Sequence, residues 1–383
     1  MFTFTSYSNI GLINEHDWNN CAGDENPFLS YKFLKNLEDS NSIGIKTSWI
    51  PNYICISKNN NILAYIPLFI KLDSQGEYVF DHAWANAYYN SGGKYYPKIQ
   101  SSIPYTPVTG NRILINKKIK NELILTIISE AGKYIENFVD KNNISSAHIT
   151  FCTYKEHSIL SRLNFLKRIG EQYHWQNKKY KSFENFLESL NSRKRKAINK
   201  ERKYISKSKI KITIKTGKEL SKNDLKKMFI FYNDTALKKW GRPYLNETFF
   251  ILLNKNFSDK ILLIFAEKST KIIAGAMHII GKNTLYGRYW GCTSEVKYLH
   301  FELCYYQAIE WAIKNNKKYV EGGAQGPHKI QRGYLPVKTY SAHYISNKNF
   351  RNAVKQFLNE EKHIILNDIN LINNKYTPYK NKD

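Results

Sequence analysis

Cysteine is scarce in this chain of 383 residues, with five in all: Cys21, Cys55, Cys152, Cys292 and Cys304. They are odd in number, widely spaced and include no CxxC pair. That argues against a disulfide framework or a zinc knuckle and predicts buried thiols. No HExxH, no GxxxxGK[ST] phosphate loop and no GxSxG elbow occurs, so the expected chemistry is metal-free and uses no serine nucleophile. Long apolar runs are missing too. The longest, around Ile62 to Ile70, falls short of the ~18–20 residues that span a bilayer. The opening MFTFTSYSNIGLINEHDW lacks a basic leader followed by an apolar stretch. The expectation is a cytoplasmic protein without a transmembrane segment, in contact with a membrane at most peripherally.

Acidic residues are few, 32 against 58 Lys and Arg, for a net charge of +26. Such an excess ordinarily points to nucleic acid or an anionic surface. Here lysine, asparagine, isoleucine and tyrosine are all abundant while arginine is sparse, as codon bias in an AT-rich genome would produce, so only local clustering of charge is informative. With 42% hydrophobic and 14% aromatic residues the chain is globular, and its length fits two domains of ~100–200 residues each.

In the second half the hydrophobic period alternates clearly. KIKITIK (Lys209 to Lys215) reads as a strand, and SKNDLKKMFIFYNDTALKKW as a helix opened by Ser221 and Asp224 in capping-box positions. NETFFILLNKNF reads as a second helix. ILLIFAEK, KIIAGAMHIIGK and TLYGRYWGC read as strands joined by tight turns, Leu299 to Asn315 as a helix, YVEGG as a strand, and Thr339 to Ser346 as the last strand. This β-α-α-β-β-β-α-β-turn-β order is that of a GNAT acyltransferase core. The first half reads as a looser copy: a helix at Tyr31 to Glu38, strands TSWIPNYICIS, NILAYIPLFIKL and EYVFDHAW, a helix from Asn121 to Asp140, and strand SAHITFC. The expected fold class is therefore α/β, with tandem GNAT-like domains at 1–180 and 181–383, each a mixed, mostly antiparallel sheet flanked by helices.

Candidate functional residues cluster in the second half. Glu321, Gly322, Gly323, Gln325, Gly326, His328, Lys329 and Arg332 crowd a turn after a short apolar strand, where open α/β sheets bind ligands. Its glycines allow close backbone approach, and its cations could hold an anion or protonate a leaving group. Glu302, in the first turn of the helix from Leu299, is a candidate general base or a first-turn acid stabilised by the helix dipole. Glu321 is the competing base, or a salt-bridge partner of Lys329 or Arg332. Arg288, Tyr289, Trp290 and His300, with Lys239, Trp240 and Arg242, form an aromatic and cationic group suited to a sugar or base face, though aromatics at strand spacing usually belong to a core. In the first half Asp81, His82 and Trp84 at a predicted strand end, with Tyr105 downstream, could line an acceptor cleft or form a hydrogen-bonded corner. SRKRKAINKERKYISKSK sets Arg193, Lys194, Arg195, Lys196, Arg202 and Lys203 on a predicted helix at 192–209, able to track an RNA backbone or simply to face solvent.

EYVFDHAWANAYYNSGGKYYPKIQSSIPYTPVTGNRIL (Glu77 to Leu114), SRKRKAINKER, KKWGRPYL and the Thr284 to Pro336 block resemble the FemAB-like family of predicted N-acyltransferases. The resemblance covers most of the chain. It implies a tandem GNAT-like fold related to the Fem ligases, which add amino acids from aminoacyl-tRNA to peptidoglycan precursors. The function expected is thus metal-independent transfer of an acyl or aminoacyl group to an amine, with no permanently bound cofactor, a donor that is aminoacyl-tRNA or acyl-CoA, and tRNA as a partner. SEVKYLH, before the helix, lacks the glycines of a coenzyme A pyrophosphate loop, which favours aminoacyl-tRNA. A non-catalytic tRNA- or RNA-binding protein on a GNAT scaffold is the alternative.

Overall fold

The computed structural model describes residues 1–323 and 326–380, with only the backbone of Trp240 and Pro327. Two compact units emerge, Met1–Glu171 with Lys338–Asp368, and Gln172–Val337 with Ile369–Asp383.

In the first unit, Thr3–Tyr7, Tyr53–Lys58, Asn61–Ile66 and Leu114–Ile115 pair as a four-stranded antiparallel sheet. A second group, Trp49–Pro51, Leu68–Lys71, Lys98–Ser101 and Ser146–Cys152, continues onto residues 340–345. Helix Asn121–Lys141 lays Ile127, Ile128, Ala131, Ile135 and Val139 on these strands, a stripe with the helical period. The EYVFDHAW segment is not a strand. Asp81 stands at the N-cap position of helix His82–Asn90, and its carboxylate turns away from the helix backbone to accept from Lys98 and from Tyr95 Oη at 2.8 Å. Interior charge here outweighs the alternation that predicted extended chain.

The second unit follows the order read from sequence as far as Tyr319–Glu321, while the final strand expected at Thr339 to Ser346 falls in the first unit, paired with Ser146–Cys152. Strands Lys211–Thr216, Ile261–Lys268, Lys271–Ile280 and Thr284–Cys292 form an antiparallel meander, Tyr319–Glu321 joins Thr284–Cys292 in parallel, and residues 174–176 pair antiparallel beyond it. Ser221 and Asp224 form the expected reciprocal cap of helix Lys222–Trp240. That helix lies so close to the sheet that a Cβ on Gly291 would sit 2.0 Å from the Phe231 carbonyl oxygen. On the opposite face Leu262, Ile264 and Leu285 pack against Leu299, Leu303, Ala308, Ile309 and Ala312. This second helix is interrupted by a π-helical turn at Glu302–Tyr306, a feature that hydrophobic spacing does not reveal and that often accompanies functional sites.

Candidate active site

Strands Thr284–Cys292 and Tyr319–Glu321 stay in register only from Thr284↔Tyr319 to Tyr286↔Glu321. Past that point the longer strand runs on while the shorter gives way to the glycine turn, opening the carboxyl ends of two parallel strands beside the π-turn helix. Gly287 marks the parting: a Cβ there would lie 3.1 Å from the Glu321 carbonyl oxygen and 3.7 Å from Gly322 Cα.

Glu321 is 9% exposed, and burial pushes its carboxyl up to about 8, against a smaller opposing pull from Arg288. The antiparallel register sets His174 beside it, with Nδ1 3.9 Å from Oε1. Burial, aided by Lys329, drives His174 down to about 3. At neutral pH the two groups are therefore uncharged neighbours, not an ion pair. Lys329 is buried and brought down to about 8 by desolvation. Its Nζ donates to the Gly323 carbonyl at 2.8 Å. The salt bridge from Glu321 to Lys329 or Arg332 that the sequence allowed is not formed. Tyr305 Oη and His328 Nε2 meet at 2.9 Å, and His328 is held below its ordinary value by burial, with Arg332, Lys329 and Lys239 adding. His300 is pushed to about 3, chiefly by burial, and lies 5.2 Å from the Trp290 ring and 6.1 Å from His328. The backbone at Gly323 has φ +81° and a Cβ there would meet nothing within 4 Å, while Gly326 has φ +126°. Gln325 and the side chain of Trp240 lie outside the described residues.

Glu302 keeps its first-turn position but is not solvated. It is 3% exposed, inside the π-turn. Oε1 accepts from Arg202 Nε at 3.2 Å, Arg202 Nη2 at 3.1 Å and Gln307 Nε2 at 2.8 Å, while Oε2 is buried without a partner. Arg202 also reaches Glu310 at 2.8 Å. Its expected place among the phosphate-tracking cations is corrected: it faces inward. Arg332 is likewise spent internally, on Glu201, Tyr306 and the His328 carbonyl. On helix Ser192–Lys207, Ile198 and Ile205 are buried, Lys194 and Arg195 are half-buried, and Arg193, Lys196, Lys200 and Lys203 are exposed.

The remaining candidates divide. Arg288 acts on the Glu321 carboxyl, whereas Trp290 packs with Leu285 and Val320 on the opposite face of the sheet. Tyr289, brought to the Glu321 face by the bulge opposite Met277 and His278, is half-buried against Tyr232 at 4.8 Å and Phe250 at 5.8 Å. Lys239 and Arg242 are exposed. In the first unit Asp81 joins Lys98, Glu77, Tyr95 and His148 in a buried polar network. Trp84 stacks edge-on to His343, His82 is exposed, and Tyr105 Oη donates to the Ser42 carbonyl at 3.0 Å. These residues form a bonded interior corner apart from His82. Sequence reasoning missed His174, Tyr305 and Glu201. The last had a signal, being an acid in the middle of a basic run.

Among the described residues no helix is long and apolar enough to cross a membrane. FemX shares this fold over 92% of this chain and 100% of its own, at 10% identity and a TM-score of 0.54. L-PGS from Bacillus licheniformis does so over 88% of this chain and 98% of its own, at 10% identity and a TM-score of 0.50. A tandem GNAT protein from the clavulanic acid biosynthesis pathway aligns at 5% identity over 91% of this chain and 99% of its own, with a TM-score of 0.47. No curated protein matches the sequence. The family described as peptidoglycan biosynthesis/recognition matches residues 9–381, and the architecture is mixed α/β, with sheets flanked by helices. The chain thus belongs to the FemAB-like family.

Proposed function

We propose that the protein transfers an aminoacyl group from aminoacyl-tRNA to an amine of a cell-wall precursor, with Glu321 as proton acceptor and Lys329 as the cation facing the developing oxyanion. One observation carries the reading: a buried carboxyl and a buried amine, both poised near pH 8, flank a bare glycine backbone where two parallel strands part. A base works best when its proton affinity matches the operating pH, and a desolvated cation stabilises a tetrahedral oxyanion far more than a solvated one. The acceptor nitrogen attacks the acyl carbonyl, Glu321 in its ionised form takes the proton, and the C–O bond to the tRNA ribose breaks as the carbonyl reforms, the leaving ribose oxygen taking that proton from Glu321. Glu302 is held by Arg202 and Gln307, which suits it to positioning, so the base is assigned to Glu321.

The donor assignment rests on the exposed cations Arg193, Lys196, Lys200 and Lys203 on one helix, since clustered Lys and Arg neutralise phosphates. The test presents aminoacyl-tRNAs and acyl-CoAs as donors to amine-bearing precursors of the wall. Transfer from aminoacyl-tRNA that is lost in Glu321→Gln is the expected result. Transfer from acyl-CoA alone would overturn the donor, and tRNA binding with no transfer to any acceptor would favour a binding protein.

A further inference from the structure

Helix Ser192–Lys207 carries one acid on its inward side that the phosphate-binding reading leaves idle. Glu201 lies between the buried Ile198 and Ile205. Arg332 Nη2 donates to its Oε1 at 2.9 Å and to its Oε2 at 3.0 Å. Tyr306 Oη donates to Glu201 Oε2 and accepts from Arg332 Nε at 3.0 Å, closing a three-membered ring of bonds. The third nitrogen, Nη1, donates to the His328 carbonyl at 2.8 Å. The guanidinium lies 3.4 Å from the Phe301 ring centroid. All three Arg332 nitrogens are thereby committed, and its side chain is only 6% exposed.

We infer that Glu201 is a positioning residue of the transfer site, fixing Arg332 and, through the Arg332 bond to the His328 carbonyl, the imidazole opposite Tyr305. The inference rests on reading the 326–333 segment as part of that site. Arg332 without a counter-charge would be a buried cation free to leave His328 or to seize a passing anion, because a buried ion pair that loses one partner leaves the other uncompensated. The same helix then does two jobs. Its outer cations face the donor's phosphates, while Glu201 holds the turn that faces the reacting group.

The test needs no substrate. The imidazole carbon-bound proton of His328, identified by its absence in His328→Gln, is followed by NMR through a pH titration in wild-type, Glu201→Gln and Glu201→Asp proteins. Groups already acting on His328 are Arg332, Lys329 and Lys239, with His300 adjacent and Tyr305 hydrogen-bonded to it. Glu201→Gln keeps the side-chain shape but uncovers the Arg332 charge. The His328 midpoint should fall by roughly 0.5 pH unit or more, as for a unit charge unmasked at partly screened distance, and its chemical shift should move even where the protein stays folded. Glu201→Asp should return the midpoint toward wild type. A folded Glu201→Gln protein whose His328 shift and midpoint match wild type overturns the inference, and so does a lower melting temperature with an unchanged His328 signal. If Glu201→Gln fails to fold, Tyr306→Phe opens the same ring of bonds, and an unmoved His328 signal there is equally fatal. Failure of the transfer reading looks different: no turnover with any donor while His328 responds as described.

Discussion

Replacing Glu321 by Gln keeps the volume and the burial of the side chain and removes one titration, so it isolates the group on which the mechanism depends. The folded protein holds that proton up to about pH 8, whereas the unfolded chain releases it near the ordinary 4.5. Between those values the native state binds more protons than the unfolded one, so stability falls as pH rises through this window and levels off above about 8. At ~1.4 kcal/mol per pH unit of separation the full contribution is on the order of 5 kcal/mol, of which roughly 2–3 kcal/mol falls between pH 6 and pH 9. The comparison must be made against the variant because other groups move the opposite way. His174 and His300, depressed to about 3, make stability fall below about pH 6.5, and Lys329, depressed to about 8, makes it rise with pH from there towards 10.5. Thermal unfolding of both proteins across the range should show melting temperatures that diverge from about pH 4.5 to about pH 8 and then hold their difference, Glu321→Gln being relatively the more stable at pH 9. Turnover should move in the reverse sense, dropping by roughly 10²–10⁴-fold, the usual loss with a general base. Melting curves that run parallel from pH 5 to pH 9 would refute the assignment of a buried, protonated Glu321 and the base role with it.

The other expectations are more local. Changing Arg193, Lys196 and Lys200 together to Ala should weaken tRNA binding and reduce the slope of log affinity against log salt by up to ~0.9 for each phosphate no longer neutralised; filter binding at several salt concentrations reads both, and an unaltered slope removes the helix from the interface. Lys98→Met strands Asp81, whose carboxyl burial would raise and Lys98 and His148 hold low, so a loss of about 3–5 kcal/mol is expected in denaturant unfolding, and a loss below ~1 kcal/mol would mean the network is wetter than its geometry implies. At Gly323 an added Cβ has nothing within 4 Å, so Gly323→Val adds mainly strain at φ +81°, costing roughly 1–3 kcal/mol. It should leave a folded protein that no longer gains thermal stability from the donor, and undiminished stabilisation would put the ligand elsewhere.

The overall order of elements in the second unit was legible because helical and strand periods are local properties of ten or so residues, and because Ser221 and Asp224 cap their own helix. The strand predicted at EYVFDHAW failed for a local reading, since Asp81 answers to Lys98 and Tyr95 and not to its neighbours in sequence. The setting of Tyr289, half-buried against Tyr232 and Phe250, was illegible for a related reason. The residue types that bind sugars are also those that fill cores, and only the packing of Tyr232 and Phe250 distinguishes the two.

By itself the sequence determined that a glycine-rich, cation-bearing turn follows a short apolar strand, that a basic helix precedes a GNAT-ordered set of elements, and that the chain resembles the FemAB-like family. Tertiary structure alone decided which charges remain available. Arg202 and Arg332 read as free cations in the sequence, yet their partners Glu302 and Glu201 lie 100 and 131 residues away. His174 reaches Glu321 only through strand register. Glu321 itself becomes a poised base because burial withholds the water that would ionise it, and burial is a property of the folded surroundings that no run of neighbouring residues encodes.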